Sequence, residues 1–176
     1  KTGGSFLSCG IRVRETDGDP ATEASIFVEG NTIQGGTDTA NSRGIILGRE
    51  EGPLALLRFD SASVIRNKIF GGGGSVSAIG LSVVLPENTT GIKNNFIRGM
   101  LEGTGAGAGD VFGTELGGVL NRVEMVNNTI DTGPAPRAGA GGTSLVSLIL
   151  KQDISAAPTA SSPLLINNII LSTVPD

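Results

Sequence analysis

The sequence predicts an all-β solenoid, a chain wound into stacked coils of short strands. Three observations predict it: one six-residue phrase recurs five times, the segments between its copies are strand-like, and 28 of 176 residues are glycine. Glycine usually accounts for ~7% of residues. Spread this widely among few charges and few aromatics, it suits a fold made of many tight turns.

The phrase reads Val28-Glu29-Gly30-Asn31-Thr32-Ile33, Val64-Ile65-Arg66-Asn67-Lys68-Ile69 and Ile92-Lys93-Asn94-Asn95-Phe96-Ile97. It recurs as Met125-Val126-Asn127-Asn128-Thr129-Ile130 and Leu165-Ile166-Asn167-Asn168-Ile169-Ile170. Aligned on Asn31, Asn67, Asn95, Asn128 and Asn168, every copy has an apolar residue three places before and Ile two places after. A small residue follows two places later: Gly35, Gly71, Gly99, Thr132, Ser172. The intervals between the asparagines are 36, 28, 33 and 40 residues, an irregular period that points to a solenoid whose units carry loops of different length. Helical repeats do not fit, because nothing between the phrases keeps a 3.6-residue apolar period over a dozen positions.

Taken in order, the strand-like segments are Gly10–Val13, Gly44–Leu47, Ala78–Val84 and Ser144–Leu150, each bounded by turn residues and most rich in β-branched side chains. Leu54–Phe59 offers a further strand. In the fourth unit Gly118–Val123 runs almost straight into the phrase, so its first strand is placed earlier, near Val111-Phe112, or merged with it. Loops are expected at Gly36–Arg43, Gly71–Gly74, Met100–Gly117, Thr132–Gly142 and Gln152–Pro163, mostly leaving after the phrase and so on one face. Gly103-Thr104-Gly105-Ala106-Gly107-Ala108-Gly109-Asp110 superficially suggests a phosphate-cradling loop. It lacks a Lys and a following helix pattern, and reads as a flexible linker.

Apolar-x-Asn-Asn-x-Ile with a small residue two places on resembles the repeat of right-handed parallel β-helices, the pectate-lyase-like superfamily. The resemblance covers all five units. It implies a right-handed single-stranded parallel β-helix of about five coils, in a single domain over residues 1–176. On this reading the recurring Asn turns a corner between two sheets, tolerates the left-handed conformation there, and hydrogen-bonds up and down a ladder. The apolar residue and the Ile flanking it then form two inward columns, and the small residue opens the next turn. The outward positions read Glu29, Ile65, Lys93, Val126, Ile166 and Thr32, Lys68, Phe96, Thr129, Ile169, without the regular threonine array of an ice-binding surface. The last unit is apolar on both faces through Ile166, Ile169 and Leu171, so the edge coil is expected to pack on missing flanks or on another chain.

That superfamily hosts lyases, hydrolases, phage tailspikes and non-catalytic surface proteins, so the resemblance does not assign an activity. Its lyases combine calcium-binding carboxylates with an Arg or Lys base. Its hydrolases use clustered Asp residues, commonly an Asp-Asp pair, with Gly-His-Gly and Arg-x-Lys motifs. This chain has no His and no Asp-Asp pair, and Gly36-Thr37-Asp38 matches only a fragment of the hydrolase pattern. Glu15, Asp17 and Asp19 alternate before Pro20 and offer oxygens to calcium, although a solvated loop explains them as well. Arg49, Glu50 and Glu51, and the alternating Arg58 and Asp60, read as charged loop edges. Cys9 is the single cysteine and reads as a small buried apolar residue. Asn88-Thr89-Thr90 and Asn127-Asn128-Thr129 fit the glycosylation pattern, but the second belongs to the structural phrase.

A net charge of −4 carries no basic footprint for nucleic acid, and no run approaches the ~18 apolar residues of a membrane helix. The chain opens Lys1-Thr2-Gly3-Gly4 with no Met or signal peptide, which reads as a fragment of a longer chain. The expected function is a non-catalytic solenoid of a secreted or cell-surface protein, presenting an adhesive or polysaccharide-contacting face. The alternatives are a lyase or depolymerase acting on an acidic glycan, and a purely structural spacer. No catalytic, cofactor-binding or metal-binding residue is assigned, and calcium enters only with the lyase.

Overall fold

A computed structural model describes residues 7–13, 25–37, 39–48, 61–84, 89–100, 110–117, 122–133, 145–151 and 162–171. Each of five successive rungs contributes three strands. The first rung is β1 (Leu7–Val13), β2 (Ser25–Glu29) and β3 (Thr32–Gln34); the second is β4 (Thr39–Gly48), β5 (Ser61–Ile65) and β6 (Lys68–Phe70). The third is β7 (Gly74–Val84), β8 (Thr90–Lys93) and β9 (Phe96–Arg98), and the fourth is β10 (Asp110–Gly117), β11 (Val123–Val126) and β12 (Thr129–Asp131). The fifth is β13 (Leu145–Lys151), β14 (Leu164–Ile166) and β15 (Ile169–Leu171). Equivalent strands pair in parallel from rung to rung, giving three five-stranded sheets in the orders β1-β4-β7-β10-β13, β2-β5-β8-β11-β14 and β3-β6-β9-β12-β15. The architecture is all-β and parallel with five rungs, as the sequence predicts, and is compatible with a parallel β-solenoid.

The register places the phrase at one corner, between the second and third sheets. Val28, Val64, Ile92, Met125 and Leu165 stack in one column, and Ile33, Ile69, Ile97, Ile130 and Ile170 in another. Both columns face inward and meet Ile45, Leu47, Leu81, Val83 and Leu116 from the first sheet in one core. Each such side chain contributes about 1.5–3 kcal/mol on burial.

The corner itself corrects one expectation. The left-handed residue is not the recurring Asn but the one before it: Gly30 (φ 70°), Arg66 (56°), Asn94 (57°), Asn127 (55°) and Asn167 (50°). Asn and Gly enter that region at low cost, which accounts for the Asn-Asn doublets; Arg66 occupies it without that advantage. Freed from the turn, the following Asn makes the ladder. Asn67 Oδ1 accepts from the backbone N–H of Asn31 (2.9 Å), Asn95 Oδ1 from Asn67 (2.9 Å), Asn128 Oδ1 from Asn95 (2.9 Å) and Asn168 Oδ1 from Asn128 (3.0 Å). Each Nδ2 donates back to the carbonyl of the column residue one rung earlier, as Asn95 does to Val64 (2.8 Å) and Asn128 to Ile92 (2.7 Å).

A second corner feature went unread in the sequence. Gly10, Gly44, Gly80 and Gly113 form a column on the first sheet where it presses on the third. A Cβ at Gly44 would lie 2.8 Å from the Phe70 carbonyl, one at Gly80 2.7 Å from that of Arg98, and one at Gly113 2.9 Å from that of Asp131. In the fifth rung Ser147 stands at this level and contacts the Leu171 carbonyl. The small residues after the phrase serve the same approach: a Cβ at Gly99 would meet the Phe112 carbonyl at 2.6 Å.

The loop expectations change in two ways. Residues 39–43, Gly74 and 110–117 are strand rather than loop, because they pair in register with their neighbours along the first sheet. The variable connections also leave from two corners, before the second sheet and after the third, not from one. The corner between β2 and β3 and its counterparts hold two residues in every rung, because the ladder Asn there is buried and bonded on both sides. β10 confirms an early first strand in the fourth unit. Leu54–Phe59 lies outside the described residues. Cys9 is half-buried, its thiol donating to the Ile11 carbonyl (2.9 Å), rather than fully enclosed.

One buried polar atom yields a stability prediction. Thr114 stacks between Leu81 and Leu148 on the first sheet, is fully buried, and its Oγ1 has no hydrogen-bond partner. Thr114→Val replaces that hydroxyl with a methyl of similar size. It is expected to stabilise the protein by about 1 kcal/mol, read as a higher urea midpoint with unchanged slope. A lower midpoint would show that the hydroxyl is hydrogen-bonded in solution.

Candidate functional site

The most developed surface constellation sits on the outer face of the third sheet. Strand alternation turns Ile33, Ile69, Ile97 and Ile130 inward and leaves two columns outside. One reads Thr32, Lys68, Phe96, Thr129, Ile169 and the other Gln34, Phe70, Arg98, Asp131, Leu171. Four rung spacings of ~4.8 Å make this a strip roughly 19 Å long.

Phe70 and Phe96 face each other diagonally across adjacent rungs, with ring centroids 5.9 Å apart and planes tilted by 56°. Such a pair lies within the favourable range for aromatic contacts. The Arg98 guanidinium carbon lies 5.2 Å from the Phe96 ring centroid, a cation–π distance. Arg98 is held there by Asp131, whose Oδ2 accepts from Nε and lies against Nη2, both at 2.9 Å. Asp131 is in turn oriented by the Gly133 N–H, which donates to its Oδ1 (3.0 Å). The result is an ordered run of ring, ring, guanidinium and carboxylate, flanked by the exposed polar side chains of Thr32, Gln34 and Lys68. It offers apolar ring surface beside hydrogen-bonding groups along an extended strip. That suits contact with a polymer bearing both C–H faces and hydroxyls.

Other charges on the outside pair off in simpler ways. Glu29 pairs with Arg66, and Lys93 lies 3.6 Å from Glu124. Glu115 pairs with Lys151 (2.5 Å) and accepts from Ser82 (3.2 Å). On the first sheet, Ser77 Oγ donates to Asn41 Oδ1 (2.7 Å) and accepts from Arg43 Nη1 (2.8 Å). Exposed pairs of this kind each contribute ~1 kcal/mol or less.

Of the sequence candidates, Glu15, Asp17, Asp19, Asp38, Arg49, Glu50, Glu51, Arg58, Asp60 and Asn88 lie outside the described residues, as do 103–109 of the glycine-rich segment. Asp110 opens β10. Arg66-Asn67-Lys68 has the Arg-x-Lys spacing of the hydrolases, but here it serves the corner. Arg66 is the left-handed residue, Asn67 the buried ladder residue and Lys68 the start of β6. Asn127, in the second glycosylation-type triplet, is likewise a left-handed corner residue. Among the described residues, no group of three or more His, Cys, Asp or Glu side chains is placed to hold a metal ion, and no helix is long and apolar enough to cross a membrane.

The Phe70–Phe96–Arg98–Asp131 run was not found from the sequence. The signal was present: aligning the residue three places after each ladder Asn gives Gln34, Phe70, Arg98, Asp131 and Leu171, a column that was not written out. A scan against protein-family models found no match, and searches of curated proteins and of solved structures found none either.

Proposed function

We propose that the protein is a right-handed single-stranded parallel β-helix that works as a non-catalytic binding scaffold, presenting the outer face of its third sheet to a polysaccharide at a cell surface or in secretion. Right-handedness follows from the general rule that about 98% of parallel crossover connections take that hand. The observation that carries the binding reading is the Phe70–Phe96 pair with Arg98 clamped beside it by Asp131. An aromatic pair half-exposed on a strand face adds nothing to the core, which the inward Ile column already fills. Its ring faces carry negative potential and attract the polarised C–H groups of a sugar, while Arg98, Gln34 and Thr32 meet hydroxyl or carboxylate oxygens.

The test is binding and chain-shortening on one panel of acidic and neutral polysaccharides, with and without calcium. Retention on at least one polymer without shortening is expected. Phe96→Ala and Phe70→Ala are each expected to weaken that retention by tenfold or more, with the urea midpoint shifted by less than about 1 kcal/mol. Calcium-dependent shortening of any polymer would replace this reading with the lyase. Binding indifferent to both substitutions would remove the third-sheet face as the site.

A further inference from the structure

The two ends of the rung stack are not alike. In the first rung the column residues Val28 and Ile33 are 7% and 6% exposed, whereas their fifth-rung counterparts Leu165 and Ile170 are 42% and 49% exposed. Leu164, Ile166, Ile169 and Leu171 complete a run of six exposed apolar residues along β14 and β15. A patch of this kind on a strand edge marks a contact surface, and its polar atoms say what fits it.

Every rung before the last hands the same bonds to the next one. The ladder Asn gives its backbone N–H and its Nδ2 to the next Asn Oδ1, as Asn128 does to Asn168 at 3.0 and 2.9 Å. The left-handed residue gives its N–H to a strand carbonyl, as Asn127 does to Ile166 (3.0 Å). The ladder carbonyl receives an N–H, as Asn128 does from Ile169 (2.8 Å), and the column carbonyl receives an Nδ2, as Met125 does from Asn168 (2.8 Å). In the fifth rung Asn168 Nδ2 still reaches Met125, but the N–H groups of Asn167 and Asn168 meet no acceptor among the described residues. The carbonyls of Leu165 and Asn168 stand where Met125 and Asn128 receive their donors. The open end therefore repeats, at fixed spacing, the half-pattern that four rung-to-rung interfaces already complete.

We propose that this end is a strand-addition site for an extended segment of another polypeptide carrying the protein's own phrase, apolar-x-x-Asn-x-Ile, docked in parallel as a sixth rung. The segment's Asn Oδ1 takes the Asn168 N–H and Nδ2, its own Nδ2 reaches the Leu165 carbonyl, and its apolar residue and Ile cap Leu165 and Ile170. Main-chain bonds supply affinity and the Asn and apolar pockets supply selectivity, as in other β-augmentation sites.

The probe is a fluorescent peptide of residues 90–98, whose Ile92, Asn95 and Ile97 carry the phrase, titrated into the full chain. Saturable binding is expected, weakened tenfold or more by N95L in the peptide and by Ile170→Lys in the protein. Amide exchange at Asn167 and Asn168 is expected to slow when the peptide is bound. Equal binding of the N95L or a scrambled peptide, or unchanged exchange at those two amides, would overturn the proposal. So would concentration-dependent dimerisation abolished by Ile170→Lys without peptide binding, which would assign the end to a second copy packed face to face.

Discussion

Asn95→Leu is expected to cost roughly 3–5 kcal/mol, a large share of the ~5–15 kcal/mol that holds a domain together. Asn95 is 3% exposed and is bonded in both directions. Its Oδ1 accepts from the backbone N–H of Asn67 (2.9 Å) and from Asn67 Nδ2 (3.1 Å); its Nδ2 donates to the Val64 carbonyl (2.8 Å) and to Asn128 Oδ1 (3.0 Å). Leucine matches the side chain in size but leaves at least the Asn67 N–H and the Val64 carbonyl buried without partners. Each such group costs about 1–3 kcal/mol. The internal contrast is Asn31→Leu. Asn31 is exposed, its side chain contributes one short bond to the Glu29 carbonyl (2.8 Å) and a long one to Asn67 Oδ1 (3.4 Å), and nothing donates to its Oδ1. That change is expected to cost about 1 kcal/mol or less. Urea unfolding followed by far-UV dichroism measures both. Equal midpoints for the two variants would refute the ladder as a stabilising element.

Gly80→Ala is expected to destabilise by about 3 kcal/mol or more, the effect of one methyl. Its Cβ would lie 2.7 Å from the carbonyl oxygens of Arg98 and Gly113 and 2.8 Å from Ile97 Cγ2. The Arg98 carbonyl belongs to the third sheet and the Gly113 carbonyl to the next rung of the first. Relieving the clash therefore requires moving strands that are paired on other sides. Gly117→Ala provides the control: there a Cβ meets the Val84 methyls at 3.5 Å, an ordinary van der Waals contact. It is expected to stay within about 1 kcal/mol of the wild type. A Gly80→Ala midpoint as high as that of Gly117→Ala would show that the two sheets are not in the close contact described.

The corner shows how far a repeated phrase can be read. Alignment on Asn31, Asn67, Asn95, Asn128 and Asn168 was sufficient to find the rungs, the inward columns and a ladder, because side-chain chemistry at those positions is the same in each copy. It was not sufficient to assign the left-handed turn. Gly30, Arg66, Asn94, Asn127 and Asn167 share a backbone conformation but not a residue type, so no single letter marks the position. The Phe70–Phe96–Arg98–Asp131 run was missed for a related reason. Each member stands in a different rung and in one of two columns, and only rung-to-rung register makes them neighbours.

Two things were determined by sequence alone. The 2-residue alternation around each phrase dictates which side chains face inward, and the recurrence of Asn five times dictates that equivalent strands lie one above another. Both are local rules repeated, and repetition is visible in a string. The tertiary structure decided the rest. It placed Gly44, Gly80 and Gly113 against Phe70, Arg98 and Asp131 of the third sheet, and it left Leu165 and Ile170 uncovered where Val28 and Ile33 are enclosed. These are contacts between segments far apart in the chain, set by how the sheets close on one another. Backbone proximity and an open end have no residue type of their own, so only the folded geometry distinguishes a glycine that makes room from one that makes a turn.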